Sequence, residues 1–111
     1  MSKIEEKRRS ERFKLNQLIK LSFGKETFVQ SEGINISENG LSCKTAEYVE
    51  PYTELYLLFT IPLDNQPKEI SGEGVVVWSK DEKGKYTIGV EFTYLSEEDL
   101  DSLTNYLKNS K

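Results

Sequence analysis

Two short stretches carry the side chains best suited to hold a charged, flat ligand. The first is Lys7-Arg8-Arg9-Ser10-Glu11-Arg12, close to the N-terminus. A guanidinium is a planar fork of donors that matches phosphate oxygens or the O6/N7 edge of a guanine, and it stacks on a base. Arg8 and Arg12 form a spaced pair, with Arg9 a further donor between them and Lys7 a flanking cation. The second stretch is Asn35-Ile36-Ser37-Glu38-Asn39-Gly40, which sets an amide, a hydroxyl and a glycine at fixed offsets. Gly40 admits a backbone or a ligand where a Cβ would stand in the way. Each stretch alone has a plainer reading. The arginine cluster is then a solvated charge run. The hexapeptide is then a polar loop turned by Asn39-Gly40, because both residues tolerate positive φ.

The same inventory excludes most catalysis. The chain has no histidine, which removes Ser-His-Asp and Cys-His nucleophiles and most zinc and iron sites. No convincing carboxylate pair or metal-ligand cluster stands out, so neither catalytic residues nor a metal site are assigned, and an enzyme is not expected. The single cysteine, Cys43, cannot form an intrachain disulfide and has no activating partner in the sequence. A net charge of -4 makes long nucleic acid a poor partner, although a local basic cluster still suits a small anion. An oligonucleotide-binding barrel would need a basic groove with exposed aromatics; here the basic clustering is confined to the N-terminal stretch. No apolar run approaches the ~18 residues that span a membrane, and the charged start MSKIEEKRRSER lacks a signal-peptide core. No membrane insertion and a cytoplasmic location are the expectation.

The chain must position the two stretches, and at 111 residues it is long enough for one domain with a core of its own. Residues 1–14 read as a flexible arginine-bearing arm, and residues 15–111 as the folded domain. Ile19, Leu21 and Phe23 alternate with Lys20 and Ser22 as in a half-buried strand. A turn at Gly24-Lys25 leads to a second strand near Thr27–Ile36, where Gly33 marks a bulge or close approach. A third strand starts at Leu41. The apolar run Leu55–Ile61 reads as a well-buried strand, Pro62–Pro67 as a loop, and Lys68–Trp78 as a long strand bent at Gly72 and Gly74. After a polar turn at 81–84, Tyr86, Ile88, Val90 and Phe92 alternate cleanly, up to Leu95. Ser96 then caps a helix over about 96–109, with three acids in its first turn and an apolar stripe of Leu100, Leu103 and Leu107 beside Tyr106. About six antiparallel strands and one C-terminal helix make a mainly β fold.

The order of the motifs resembles the PilZ domain family. An R-x-x-x-R pair (Arg8, Arg12) precedes the first strand, and an N-x-S-x-x-G signature (Asn35, Ser37, Gly40) follows the second. Val75-Val-Val-Trp78, Ile88-Gly-Val-Glu-Phe92 and Leu95-Ser-Glu-Glu-Asp99 are similar to the family's closing strands and helix. The resemblance implies a six-stranded antiparallel β-barrel with a C-terminal α-helix. It also implies a receptor for cyclic di-GMP, a bacterial second messenger, with no further cofactor. Arg8 and Arg12 would pair with phosphates and guanine edges or stack on bases, with Arg9 in reach. Asn35 would bond a guanine edge, Ser37 would add a hydroxyl, and Gly40 would give the backbone access. Trp78 would form a wall, and Lys7 would help hold a second, intercalated copy of the ligand. Asn35 stands where many members carry Asp, so weaker binding than an Asp version is expected. A chain this short needs a separate effector protein as its output partner. The alternative is a PilZ-like adaptor that works without ligand.

Overall fold

The computed structural model describes residues 13–14, 18–22, 29–63 and 66–109. The strands are β1 (Phe13–Lys14), β2 (Leu18–Ser22), β3 (Val29–Ile36), β4 (Gly40–Thr45), β5 (Glu54–Leu63), β6 (Gln66–Glu82) and β7 (Lys85–Leu95), followed by one helix, α1 (Glu97–Lys108). All described pairings are antiparallel. The order β3-β2-β5-β6-β7-β4 returns to β3 through a β3–β4 pairing, so six strands close into a barrel. Each of these six strands is thereby paired on both sides, which removes the open edges that invite aggregation. The short β1 adds to β3 beyond the end of β2, with Phe13 opposite Ile36 and Lys14 opposite Asn35. Thus Phe13–Lys14, at the end of the expected arm, are paired. Residues 1–12, Phe23 and the expected Gly24-Lys25 turn lie outside the described residues.

Alternation decides which side chains fill the barrel. Ile19 and Leu21 from β2, Leu55, Leu57, Phe59 and Ile61 from β5, and Ile88 and Val90 from β7 are buried together with Ile36, Leu41, Cys43, Ile70 and Val76. The apolar run of β5 is therefore buried along one face, while Tyr56 on the other face is exposed. Ser22 departs from its expected outward exposure and is buried. Three extra residues bend the ladder: Ile34 in β3, Val77 in β6 and Thr93 in β7. Gly33 and Gly74 adjoin two of these bulges, as their sequence positions predict. The stretch Pro62–Pro67 is not an open loop. Pro62 pairs with Pro67 and Leu63 with Gln66, so β5 and β6 run almost to their connection.

The helix starts where predicted, with the Asp99 amide donating to Ser96 Oγ at 3.1 Å. Leu103 and Leu107 enter the core, but Leu100 is exposed and does not belong to the stripe; Ser102 is buried instead. Lys68 Nζ lies 3.0 Å from Glu98 Oε2, and the Ser71 amide donates to Asp99 Oδ2 at 3.2 Å. These contacts tie the first helical turn to β6. The hydrogen bond that Lys68 donates to Glu98 holds its ammonium above the ordinary pKa.

Cys43 points into the core, and burial pushes its thiol from 9.0 up to about 12. A group whose folded pKa is raised stabilises the fold fully below its unfolded pKa and loses that contribution as pH climbs toward the folded value. Unfolding free energy should therefore fall between pH 9 and 12 more steeply in the native protein than in Cys43→Ala, by on the order of 1 kcal/mol per pH unit. Urea melts at pH 8 and pH 10 measure this difference. An aromatic disulfide reagent at pH 8 should label Cys43 only after denaturant is added.

Candidate functional site

One row of cross-strand neighbours runs over the outside of the barrel. Lys14 lies opposite Asn35, Asn35 opposite Ser42, Ser42 opposite Gly89, and Gly89 opposite Trp78. Cross-strand partners share a face. The flanking residues Ile36, Leu41, Cys43, Ile88 and Val90 all point into the core, so Asn35, Ser42, Gly89 and Trp78 lie on the outer face. The Val77 bulge sets the register that brings Trp78 opposite Gly89. A Cβ on Gly89 would overlap the indole at Nε1 and Cε2, so the missing side chain lets the ring lie flat on the sheet. Trp78 remains 37% exposed, leaving part of the ring available to a partner.

Asn35 and Ile36 belong to β3, so the connection between β3 and β4 is shorter than the six-residue loop read from sequence. Ser37 is the residue that shapes it. Its backbone amide donates to the Gly40 carbonyl at 2.8 Å, and its buried hydroxyl accepts from the Asn39 amide at 3.2 Å. This leaves Glu38 and Asn39 as the exposed tip. The Phe92 amide donates to the Asn39 carbonyl at 2.8 Å and anchors the tip to β7.

The reason for Gly40 differs from the expected one. Among the described residues, left-handed φ occurs at Tyr52, Lys83 and Gly84, and neither Asn39 nor Gly40 has it. Gly40 pairs with Glu91, and a Cβ there would overlap the Val90 carbonyl oxygen and stand 3.1 Å from the Glu91 Cα. Close approach of two strands demands this glycine.

A cavity of about 220 Å³ adjoins the row and is lined by Ser37, Gly40, Trp78 and Gly89, with Glu91 at its side. The fold thus brings Ser37, Gly40 and Trp78 to one place. Asn35 sits two strands from Gly89 along the row, and Ser42 Oγ donates to Asn35 Oδ1 at 2.9 Å, which fixes the amide. Two residues of this surface went unread in the sequence, Ser42 and Gly89. The signal for Gly89 was there: a glycine in the middle of a strongly alternating strand marks close approach. Ser42 has no such signal, since an outward serine in a strand is ordinary.

Lys7, Arg8, Arg9 and Arg12 lie outside the described residues. Their attachment point does not: Phe13 pairs with Ile36, one residue before Ser37. Among the described side chains none that lines the cavity is basic, and Glu38 in the tip and Glu91 beside it are exposed. An anion held in this cavity needs positive charge beyond these described lining side chains. Among the described residues no cluster of metal-ligating side chains forms and no helix is long and apolar enough to cross a membrane.

The profile of the family described as "PilZ domain" matches residues 6–109. A comparison with curated proteins finds no match. Among solved structures, the fold is similar to the inhibitor of motility MotI/DgrA of Bacillus subtilis, with a TM-score of 0.77 at 17% sequence identity. The match covers 90% of this chain and 49% of that protein, so the chain spans about half the length of this neighbour.

Proposed function

The chain belongs to the PilZ domain family, and from that premise we propose that it binds cyclic di-GMP and passes the binding event to a protein partner. One observation carries the reading. The N-terminal segment with Arg8, Arg9 and Arg12 joins the barrel at Phe13, beside Asn35 of the outer-face row and the tip shaped by Ser37 and Gly40. One side supplies charge and the other supplies polar edges and a flat wall. Cyclic di-GMP needs both, since it has two phosphates and two guanines.

In this mechanism Arg8 and Arg12 hold phosphate oxygens and guanine O6/N7 edges, with Arg9 as a further donor. Asn35 meets a guanine edge. Ser37 acts mainly by shaping the tip, its hydroxyl already serving the Asn39 amide. Gly40 keeps the strand surface low, and Trp78 offers a ring face or edge. Ligand phosphates offset the mutual repulsion of the arginines and draw the N-terminal segment over the row. Ordering about ten residues costs several kcal/mol, which the contacts must supply along with the net affinity. Lys7 extends the positive charge toward a second, intercalated ligand. The surface so formed is what an effector protein reads. The binding character common to PilZ domains fits this non-enzymatic role, and a cytoplasmic setting would supply the messenger.

Calorimetric titration with cyclic di-GMP tests the proposal. Saturable binding supports it, and the stoichiometry separates one ligand from an intercalated pair. No heat and no shift at millimolar ligand would leave the ligand-independent adaptor as the correct reading. Asn35→Asp sharpens the test. One carboxylate oxygen can keep the Ser42 hydrogen bond while the other gives a guanine N1–H/N2–H edge a charged acceptor. Affinity should rise several-fold, worth on the order of 1 kcal/mol, and unchanged or weaker binding by the same titration would show that Asn35 does not meet that edge.

A further inference from the structure

The barrel carries a second surface, at the end opposite the α1 contacts. The segment 46–54, Ala-Glu-Tyr-Val-Glu-Pro-Tyr-Thr-Glu, crosses from β4 to β5 and contains three glutamates and no lysine or arginine. Its turn is built on Pro51-Tyr52. The Thr53 amide donates to the Glu50 carbonyl at 3.3 Å, the Thr53 hydroxyl reaches the same oxygen at 2.6 Å, and the Tyr52 amide donates to the Val76 carbonyl at 2.6 Å. The backbone is therefore held on both sides of Tyr52, whose φ is 74°. Glycine or asparagine is the relaxed choice at such a turn position. A tyrosine there is strained, and its ring recovers little by packing because it is 83% exposed. The fold tolerates a cost at Tyr52 that its own packing does not explain.

The neighbourhood of Tyr52 is shaped to receive something. Tyr48 is also exposed, and its ring is steadied by an edge-on contact with Tyr86 at 5.7 Å. Beside it opens a cavity of about 390 Å³, lined by Thr45, Val49 and Thr53 and rimmed by Glu47 and Glu50. Ser31, which pairs with core residue Ile19 and is 4% exposed, is among the residues lining this cavity, and its hydroxyl, closed to solvent, has no hydrogen-bond partner among the described residues. A buried hydroxyl left in this condition is costly unless a partner meets it.

We propose that residues 46–54 form a docking site for a basic segment of a protein partner, with Tyr48 and Tyr52 as anchors and the cavity as the seat of one apolar side chain. The chemistry selects the occupant. Two exposed tyrosine faces flanked by Glu47, Glu50 and Glu54 attract lysine or arginine through ring and carboxylate together. The apolar wall at Val49 takes a hydrocarbon side chain. The proposal rests on the reading above only in supposing that the output is a protein.

The test uses the full chain, labelled with ¹⁵N, and a synthetic peptide of alternating lysine and leucine, with a glutamate-for-lysine peptide as its counterpart. Shift changes should centre on Ser31 and residues 45–53. Tyr52→Gly should weaken the lysine peptide about five- to tenfold while its melting temperature stays equal or rises, since the substitution removes strain. Tyr52→Asn, which also tolerates this φ, should behave alike. Tyr94→Ala, on β7 and also an exposed tyrosine, should leave the peptide affinity unchanged. Cyclic di-GMP affinity, titrated separately, should not respond to Tyr52→Gly, so a failure of nucleotide binding and a failure of docking are read apart. The proposal is overturned by absence of binding at millimolar peptide, by equal affinity in Tyr52→Gly, by equal binding of the acidic peptide, or by Tyr52-dependent self-association in sedimentation.

Discussion

Gly40→Ala is expected to destabilise the barrel by about 3 kcal/mol or more, a larger cost than alanine at any glycine in a turn. The added methyl would overlap the Val90 carbonyl oxygen, and a carbonyl cannot rotate away as a side-chain tip can. Relief requires β4 to move off β7. That movement breaks the register that sets Leu41 opposite Val90 and Cys43 opposite Ile88, both pairs buried in the core. In a closed barrel the displacement has no free edge to escape to. Gly84→Ala is the control. Its φ of +88° penalises a Cβ conformationally, but nothing lies within 4 Å, so the cost should be about 1 kcal/mol. Thermal melts followed by circular dichroism should place Gly40→Ala more than about 10 °C below the native protein and Gly84→Ala roughly 4–8 °C below it. The reverse order would mean that φ, not strand approach, governs Gly40.

That pair of glycines also marks how far the sequence could be read. Local rules worked where one residue decides the outcome. Ser96 capped the helix, Lys83-Gly84 made a turn with positive φ at both positions, and the alternation in β7 placed Ile88 and Val90 in the core. They failed where the answer lay across strands. Asn39-Gly40 has the composition of a left-handed turn, yet Gly40 is required by the carbonyl of a residue fifty positions later. Leu100 fits a helical stripe by spacing, but α1 meets the barrel through Leu103 and Leu107, so the stripe is narrower than its periodicity. The two prolines at 62 and 67 looked like loop residues until they paired with each other. For the site, the residue types at 35, 37 and 40 were legible as a motif. Their roles were not. The Ser37 hydroxyl serves the tip, and the outer-face row through Ser42 and Gly89 depends on a bulge at Ile34, which Gly33 marks, and on one at Val77 that no spacing announces.

Replacing both Arg8 and Arg12 by alanine is expected to lower the affinity for cyclic di-GMP by at least a hundredfold. The described half of the site contributes no basic side chain to its cavity, and Glu38 and Glu91 stand beside the tip. A phosphate brought there without the arginines meets carboxylates. Each charge-assisted hydrogen bond is worth about 1.5–3 kcal/mol, so each single alanine variant should lose roughly ten- to a hundredfold. Arg8→Lys and Arg12→Lys keep the charge but lose the planar fork, and should fall between alanine and the native protein. Ionic strength separates the two contributions. Native binding should weaken as salt is raised, because phosphate pairing is screened, and the double alanine variant should lose most of that dependence. The melting temperature without ligand should hardly change, so that the loss is one of affinity and not of fold. Calorimetry at two salt concentrations, with melts of the same samples, reads all of these quantities. Native-like affinity in the double variant would place the positive charge elsewhere and remove the N-terminal segment from the site, leaving Asn35, Ser42 and Trp78 as a surface for some uncharged partner.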